Sequence, residues 1–268
     1  MSGTAPPVSP PPGLPLRAFL PNAITLIALC LGLTAIRFAF AEEWANAIAM
    51  VVIAGILDGF DGRIARLLKA QSRFGAELDS LADNISFGTV PALILFAFVS
   101  SGSDLSKSVT NFTWIAALAL AACCALRLAR FNSRIDNLHQ PHKSAGFNTG
   151  VPAPAGAGLS FLPIYLWLVT GNPWFQDWRV VLPWTLFIAV LMISALPTFS
   201  WSSIRIRRSA RLLVLVAVAL LVAALALEPW ITLAGVSLVY LATIPFGLAS
   251  YARVRRRRAA GAEPSPAG

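Results

Sequence analysis

Four aspartates stand close together in a chain that is otherwise mostly apolar. Asp58 and Asp61 lie three residues apart, and Asp79 and Asp83 lie four apart, so each pair shares one face of a helix. The short polar link KAQSR at 69–73 separates the two pairs, and an antiparallel turn there would bring the two faces together. We therefore predict that the four carboxylates converge on one volume.

Carboxylates at such range repel one another unless some are protonated or divalent cations lie between them. Hard cations such as Mg²⁺ bind carboxylate oxygens together with phosphate oxygens. Two such ions about 3.5–4 Å apart can clamp a phosphate during in-line displacement. Gly62, Ala65 and Gly75 leave the helix surface beside the acids bare, and a flat group could lie against it.

Two other interpretations of the acids are open. In the first, they pair at the helix ends with Arg63, Arg66 or Arg73. Acids inside membrane helices generally mark functional sites, however, and four in register favour function. In the second, the protein is a divalent-cation transporter, but transporters typically show broken helices or repeated halves around the site.

The composition predicts the class of protein that must position these residues. Hydrophobic residues make up 57% of the chain and charged residues 12%, against roughly 25% charged in soluble domains. We expect an all-α, multi-pass membrane bundle, because apolar runs of about 17–25 residues recur. This composition argues against a soluble enzyme or a free nucleic-acid binder, despite the net charge of +9. The eight predicted spans are 21–41, 45–66, 78–100, 112–131, 151–170, 180–197, 211–227 and 230–250.

Basic residues are distributed unevenly between the two sets of span ends. Eighteen of the 21 lysines and arginines fall at one set of ends, and only Arg37, Lys107 and Arg179 fall at the other. Because positive charge marks the cytoplasmic side, we predict that both termini and the four acids lie toward the cytoplasm. The even number of spans agrees with this orientation.

One membrane domain is predicted at 18–251, with a catalytic core at about 18–205 and two extra helices at 211–250. The proline-rich segment 1–17 is predicted to be disordered. The segment 252–268 is predicted to be a cytoplasmic tail, basic at first and then disordered. Its RVRRRR run suits anionic lipid headgroups or simple topological anchoring.

The stretch 58–83 matches, at every fixed position, the signature D-x2-D-G-x2-A-R-x8-G-x3-D-x3-D. On these residues the chain resembles the CDP-alcohol phosphatidyltransferase family. The resemblance implies transfer of a phosphatidyl group from a CDP-linked donor to an alcohol, with release of CMP. It also implies that Asp58, Asp61 and Asp79 hold metal ions, and that Asp83 contacts metal and acts as the general base. Two divalent ions are expected, Mg²⁺ or Mn²⁺, with Ca²⁺ as a further candidate.

The resemblance also places residues beside the CDP donor. Within the signature these are Gly62, Ala65, Arg66 and Gly75. Asn22 and Thr25, in PNAITL at 21–26, are further candidates for contacts with the nucleotide or the metal site. Helix capping is the alternative role for these two side chains.

Segments outside the signature bear on the acceptor alcohol. The segments 21–26, 127–132, 146–158 and 193–200 resemble the bacterial, membrane-embedded branch of the family that uses serine. That resemblance implies CDP-diacylglycerol and L-serine as substrates, an inner-membrane location with a cytoplasmic site, and a homodimer. The same chemistry with glycerol 3-phosphate or inositol phosphate as acceptor is the nearest alternative.

Arg127 and Arg130 are the candidates for binding serine or donor phosphate. A guanidinium can hold a carboxylate or a phosphate through two parallel hydrogen bonds. The two arginines lie three residues apart near the predicted cytoplasmic end of the fourth span. Anchoring of that end at the membrane surface is their alternative role.

Overall fold

The structure is a computed structural model, and it describes residues 16–102, 105–133, 147–194, 197–199 and 211–260. These residues form a helical bundle with one short pair of strands. The helices are α1 (Leu16–Phe40), α2 (Trp44–Leu67), α3 (Arg73–Asn84), α4 (Val90–Gly102), α5 (Lys107–Asn132), α6 (Ala153–Ser160), α7 (Leu162–Thr170), α8 (Trp178–Ile193), α9 (Arg211–Leu227) and α10 (Pro229–Ala260). A π-helical segment (Ile85–Thr89) joins α3 to α4, and a 3₁₀ turn (Pro173–Gln176) precedes α8.

Four helical stretches are long and apolar enough to cross a membrane: Phe19–Phe40, Arg73–Gly102, Lys107–Asn132 and Ala153–Thr170. Three shorter apolar helices follow, at Trp178–Ile193, Leu212–Leu227 and Pro229–Pro245. With α2, these stretches correspond one to one with the eight predicted spans. The prediction of a helical membrane bundle is therefore confirmed.

The structure adds one feature that the apolar pattern did not predict. Strands β1 (Phe147–Thr149) and β2 (Pro197–Phe199) pair antiparallel, with Phe147 opposite Phe199. The pair joins the segment before α6 to the segment after α8.

The predicted disordered ends lie mostly outside the described residues. Residues 16 and 17 already belong to α1. At the other end, α10 continues to Ala260, so the basic run at 253–258 extends the last helix beyond its predicted end at 250.

The third predicted span is interrupted by the π-helical segment. Pro91 has no N–H to donate to the carbonyl four residues earlier, and its ring crowds that carbonyl. The preceding turn widens accordingly, and the Val90 N–H bonds to the Ile85 carbonyl five residues earlier. This widened turn begins at Ile85, directly after the last residue of α3 and two residues after Asp83.

The fifth predicted span is broken at Phe161, between α6 and α7. Pro163 cannot donate a hydrogen bond to the carbonyl of Leu159, four residues before it. That carbonyl instead accepts a hydrogen bond from Trp184 Nε1 of α8, 3.0 Å away. A side chain of a neighbouring helix therefore satisfies the backbone group that the proline leaves open.

The buried core is formed by packing between several of the helices. Helix α1 packs along α2, and α5 packs along α8. Trp44, Phe98 and Trp167 meet edge to face at the end where α2 begins and α4 ends. Because Asp58 and Asp61 lie near the other end of α2, the acids and this aromatic cluster occupy opposite ends of that helix.

Candidate active site

Three of the four predicted aspartates come together at the end of α2 and the start of α3. Carboxylate oxygens of Asp58, Asp61 and Asp79 all lie within 4.8 Å of one another. Asp61 is buried, with 4% of its surface exposed, and the other two are half-buried. Three oxygen donors at this spacing fit a hard divalent cation such as Mg²⁺ or Mn²⁺.

The fourth aspartate adjoins this triad without being one of its members. The Asp83 carboxyl lies within hydrogen-bonding reach of the Asp58 carboxyl, as Asp79 does from another direction. Asp83 also interacts electrostatically with Arg127 of α5. The predicted convergence of the four acids is therefore present, with Asp58 between Asp79 and Asp83.

The chain reverses between α2 and α3 within five residues, and local sequence explains how. Lys69 adopts a left-handed conformation, with φ of 49°. The N–H groups of Lys69 and Ala70 bond back to the carbonyls of Arg66 and Ala65, which closes the C-terminus of α2. Ser72 then caps α3, because its side chain accepts a hydrogen bond from the Gly75 N–H at 3.0 Å.

The sequence predicted the turn but not its capping residue. Ser72 could have been found from the preference for serine at helix N-caps. With both helix ends closed, the two acidic faces are held against each other.

Helix α1 supplies a direct contact to the triad. Thr25 Oγ1 donates a hydrogen bond to Asp61 Oδ2, 2.6 Å away, and both side chains are buried. Asn22 lies one turn earlier, beside Gly75 of α3. A Cβ added to Gly75 would lie 2.9 Å from Asn22 Oδ1. The N-terminal half of α1 therefore touches both acid-bearing helices.

The small residues of the signature have different surroundings. A Cβ added to Gly62 would meet no atom within 4 Å, so this face of α2 is open beside the acids. Gly75 is crowded by Asn22 and by Ser72 instead. Ala65 is half-buried, and Arg66 is exposed with its Nε donating to the Gly62 carbonyl at 3.0 Å.

The alternative in which arginines pair with the acids does not match the described residues. Within that part of the chain, the one ion pair joins Arg179 to Asp177 at 3.7 Å, at the start of α8. Arg63, Arg66 and Arg73 are exposed and form no ion pair with the four acids.

Arg127 and Arg130 differ sharply in their surroundings. Arg127 is half-buried beside Asp83 and Cys124, and its Nε meets no hydrogen-bond partner among the described residues. Arg130 is exposed, and its Nη1 donates to the Ile193 carbonyl at the end of α8, 3.3 Å away. Arg127 therefore interacts with an acid of the site, whereas Arg130 contacts the end of α8.

The fold and the site together define a helical membrane protein with a carboxylate cluster suited to divalent cations. A family model described as CDP-alcohol phosphatidyltransferase matches residues 18–201. A second, described as CDP-alcohol phosphatidyltransferase 2, matches residues 209–245. The chain belongs to the CDP-alcohol phosphatidyltransferase family. The second match covers most of the two last helices.

Individual relatives agree with this assignment. The CDP-diacylglycerol–serine O-phosphatidyltransferase of Mycobacterium leprae is 37% identical over 229 residues, which are 85% of this chain and 74% of the relative. The protein of the same name from Helicobacter pylori is 36% identical over 188 residues, which are 67% and 71% of the two chains. The one from Methanocaldococcus jannaschii is 37% identical over 136 residues, which are 51% and 55%.

Proposed function

We propose that this protein transfers the phosphatidyl group of CDP-diacylglycerol to the hydroxyl of L-serine, giving phosphatidylserine and CMP. The observation that carries the proposal is the meeting of Asp58, Asp61 and Asp79, with Asp83 directly beside them. The names of the similar proteins from three organisms supply the donor and the acceptor.

The triad is proposed to hold two divalent ions, Mg²⁺ or Mn²⁺. When bound, such ions offset negative charge on the donor pyrophosphate and on the departing CMP. Asp58, Asp61 and Asp79 supply oxygen ligands for them, and the hydrogen bond from Thr25 occupies one acceptor position of Asp61.

The open face of α2 is proposed to receive the donor nucleotide. A Cβ added at Gly62 would meet no atom within 4 Å, and the Arg66 guanidinium lies beside this surface, at the Gly62 carbonyl. A nucleotide lying there would have its phosphates beside the acids, while its acyl chains extend into the lipid. Ala65, Gly75 and Asn22 border the same region.

Asp83 is proposed to act as the general base. It accepts the proton of the serine hydroxyl as the serine oxygen attacks the diacylglycerol-linked phosphorus. The new bond joins the serine oxygen to this phosphorus. The bond between the phosphorus and CMP breaks, and CMP leaves. We propose direct displacement with both substrates bound.

Arg127 is proposed to bind the serine carboxylate. It is half-buried next to Asp83, and its Nε is available to an acceptor. A guanidinium that grips the carboxylate from this position would place the serine hydroxyl near the base. Arg130 is proposed to anchor α5 to α8 instead, because its guanidinium already donates to the end of α8.

The test is an assay of purified full-length protein in detergent with CDP-diacylglycerol and a divalent cation. Labelled serine, glycerol 3-phosphate and inositol phosphate are supplied in parallel. Of the three reactions, we expect only the one that contains serine to give a labelled lipid, together with an equimolar amount of CMP. Preferred incorporation of either phosphorylated acceptor would overturn the choice of serine, and absence of CMP release with all three would overturn the reaction.

The same assay separates the roles of the two arginines. Arg127→Gln should raise the KM for serine by about 10–100-fold, because a hydrogen bond to a charged group contributes about 1.5–3 kcal/mol. Arg130→Gln is the matched control and should change that KM only a few-fold. A rise in the KM for CDP-diacylglycerol, with the serine KM unchanged, would assign Arg127 to the donor phosphates.

A further inference from the structure

The contact between Thr25 and Asp61 is unusual for a threonine within a helix. Thr25 Oγ1 lies 2.6 Å from Asp61 Oδ2 and 3.1 Å from the Pro21 carbonyl oxygen, four residues earlier. A hydroxyl has one proton to donate. The shorter contact, to a carboxylate, is the stronger hydrogen bond when the acceptor is charged.

A threonine of the same helix shows the ordinary arrangement. Thr34 Oγ1 donates to the Cys30 carbonyl, four residues earlier, at 2.6 Å, and this is its only hydrogen bond in the described part of the chain. Such a bond back to the preceding turn is common for threonine in helices. Thr25 Oγ1 lies near the carbonyl four residues earlier as well, but its shorter contact is to an acid of another helix.

The surroundings of Thr25 fix the direction of its hydroxyl. Threonine has few side-chain rotamers in a helix, because its branched Cβ lies against the preceding turn. Thr25 is 5% exposed and Asp61 is 4% exposed, so water does not replace either partner freely. Asn22, in the same part of α1, lies close to Gly75 of α3.

We infer that Thr25 is a positioning residue that orients the Asp61 carboxylate for metal binding. The inference rests on the proposed metal site. Asp61 Oδ2 accepts the bond from Thr25, which orients the carboxylate while one of its oxygens lies within 4.8 Å of oxygens of Asp58 and Asp79. The sequence left contact with the nucleotide or with the metal site open for Thr25, and this inference develops the second of these, through Asp61.

Partners of this kind commonly control the affinity of a metal site. Groups that hydrogen-bond to a metal ligand fix its orientation, and their removal typically costs about 10–100-fold in metal affinity or activity. Because α1 carries the donor group and α2 carries the ligand, the bond makes metal affinity depend on how these two helices pack.

The test measures Mn²⁺ binding to the purified full-length protein in detergent, without substrates, by titration calorimetry or by loss of the free Mn²⁺ resonance signal. Thr25→Val keeps the shape but removes the donor, and it should weaken Mn²⁺ binding by about 10–100-fold. Thr25→Ser keeps the donor and should restore most of the affinity. Thr34→Val removes a hydroxyl from the same helix and should leave Mn²⁺ binding unchanged.

A double-mutant cycle with Asp61→Asn adds a readout that general loss of structure would not reproduce. If Thr25 acts through Asp61, then Thr25→Val should have little further effect on Mn²⁺ binding in the Asp61→Asn protein. If Thr25→Val does not purify as a folded protein, Thr25→Ala takes its place in every comparison with Thr25→Ser.

Each outcome of the Mn²⁺ measurements bears on a different part of the inference. Equal Mn²⁺ affinities for wild type and Thr25→Val would overturn the role of Thr25 while leaving the metal site intact. Equally weakened binding by Thr25→Ser and Thr25→Val would overturn the requirement for the hydroxyl. Absence of Mn²⁺ binding in the wild-type protein would overturn the proposed metal site, and the inference with it.

Discussion

Asp83 stands apart from the other three acids in its surroundings. Asp58, Asp61 and Asp79 form a close triad between α2 and α3, whereas Asp83 adjoins the triad at Asp58 and interacts electrostatically with Arg127 of α5. A residue in this position can reach a substrate bound between the triad and α5. This placement supports a division between metal ligands and the proposed base.

Replacement of Asp83 by asparagine tests that division. Asp83→Asn should lower kcat by about 10²–10⁴-fold, because that is the usual contribution of a positioned general base. Binding of CDP-diacylglycerol should be weakened less than by Asp58→Asn, since Asp58 lies between the other acids. Turnover and donor binding are measured on the same purified samples, and near-normal turnover by Asp83→Asn would contradict its role.

The acids could be predicted from the sequence because their spacing alone places each pair on one helix face. The contact of Thr25 with Asp61 could not be predicted in the same way. These residues are thirty-six positions apart, and their meeting depends on how α1 packs along α2. The different surroundings of Arg127 and Arg130 could not be predicted from the sequence either, because the contact of Arg130 depends on where α8 ends.

At the scale of elements, the π-helical segment and α5 approach each other closely at Gly88. A Cβ added to Gly88 would lie 2.9 Å from Cys124 Cβ and 3.0 Å from Cys124 Sγ. Side chains do not approach so closely, so α5 can lie against this segment only because residue 88 is glycine. The same contact places α5, and with it Arg127, beside α3.

Gly88→Ala should therefore destabilise the protein. Forcing an extra methyl group into a well-packed contact typically costs about 1–3 kcal/mol. Thermal unfolding of the purified protein in detergent should show a lower Tm. Gly235→Ala is the control, because a Cβ there meets nothing within 4 Å and alanine favours helix over glycine. An unchanged or higher Tm for Gly88→Ala would show that α5 moves aside without cost.

The spans were predictable because each needs only a long enough apolar run. Their interruptions were not predicted, although Pro91 and Pro163 mark both of them in the sequence. A proline does not reveal whether its helix widens, as before α4, or stops, as before α7. Which occurs depends on neighbours such as Trp184, whose indole takes up the freed carbonyl of Leu159. The strands β1 and β2 depend likewise on a partner about fifty residues away.

At the scale of the whole molecule, the site lies at one end of the bundle. The link between α2 and α3 is exposed at Gln71, and the connection between α7 and α8 is exposed at Asn172. We propose that the first lies on the cytoplasmic side and the second on the opposite side. The unequal distribution of basic residues supports this orientation.

Single cysteines test the orientation in a variant whose three native cysteines are replaced by alanine. Asn172→Cys should react with a membrane-impermeant maleimide in intact spheroplasts. Gln71→Cys should react only after the membrane is permeabilised, because the link then becomes accessible from the inside. The reverse pattern would show that the acids face away from the cytoplasm. The homodimer stays a prediction from the family resemblance.

The π-helical segment has one further consequence for the span that contains it. A π turn holds one residue more than an α turn, and one residue corresponds to about 100° of rotation around a helix. The stripe that carries Asp79 and Asp83 and the stripe of α4 that enters the core are thereby offset in phase. A deletion of one residue within 85–89 would leave both helices formed but rotate the acids away from α2. The extra residue works as an angular spacer, which lets the acidic end and the apolar end of one continuous span face different neighbours.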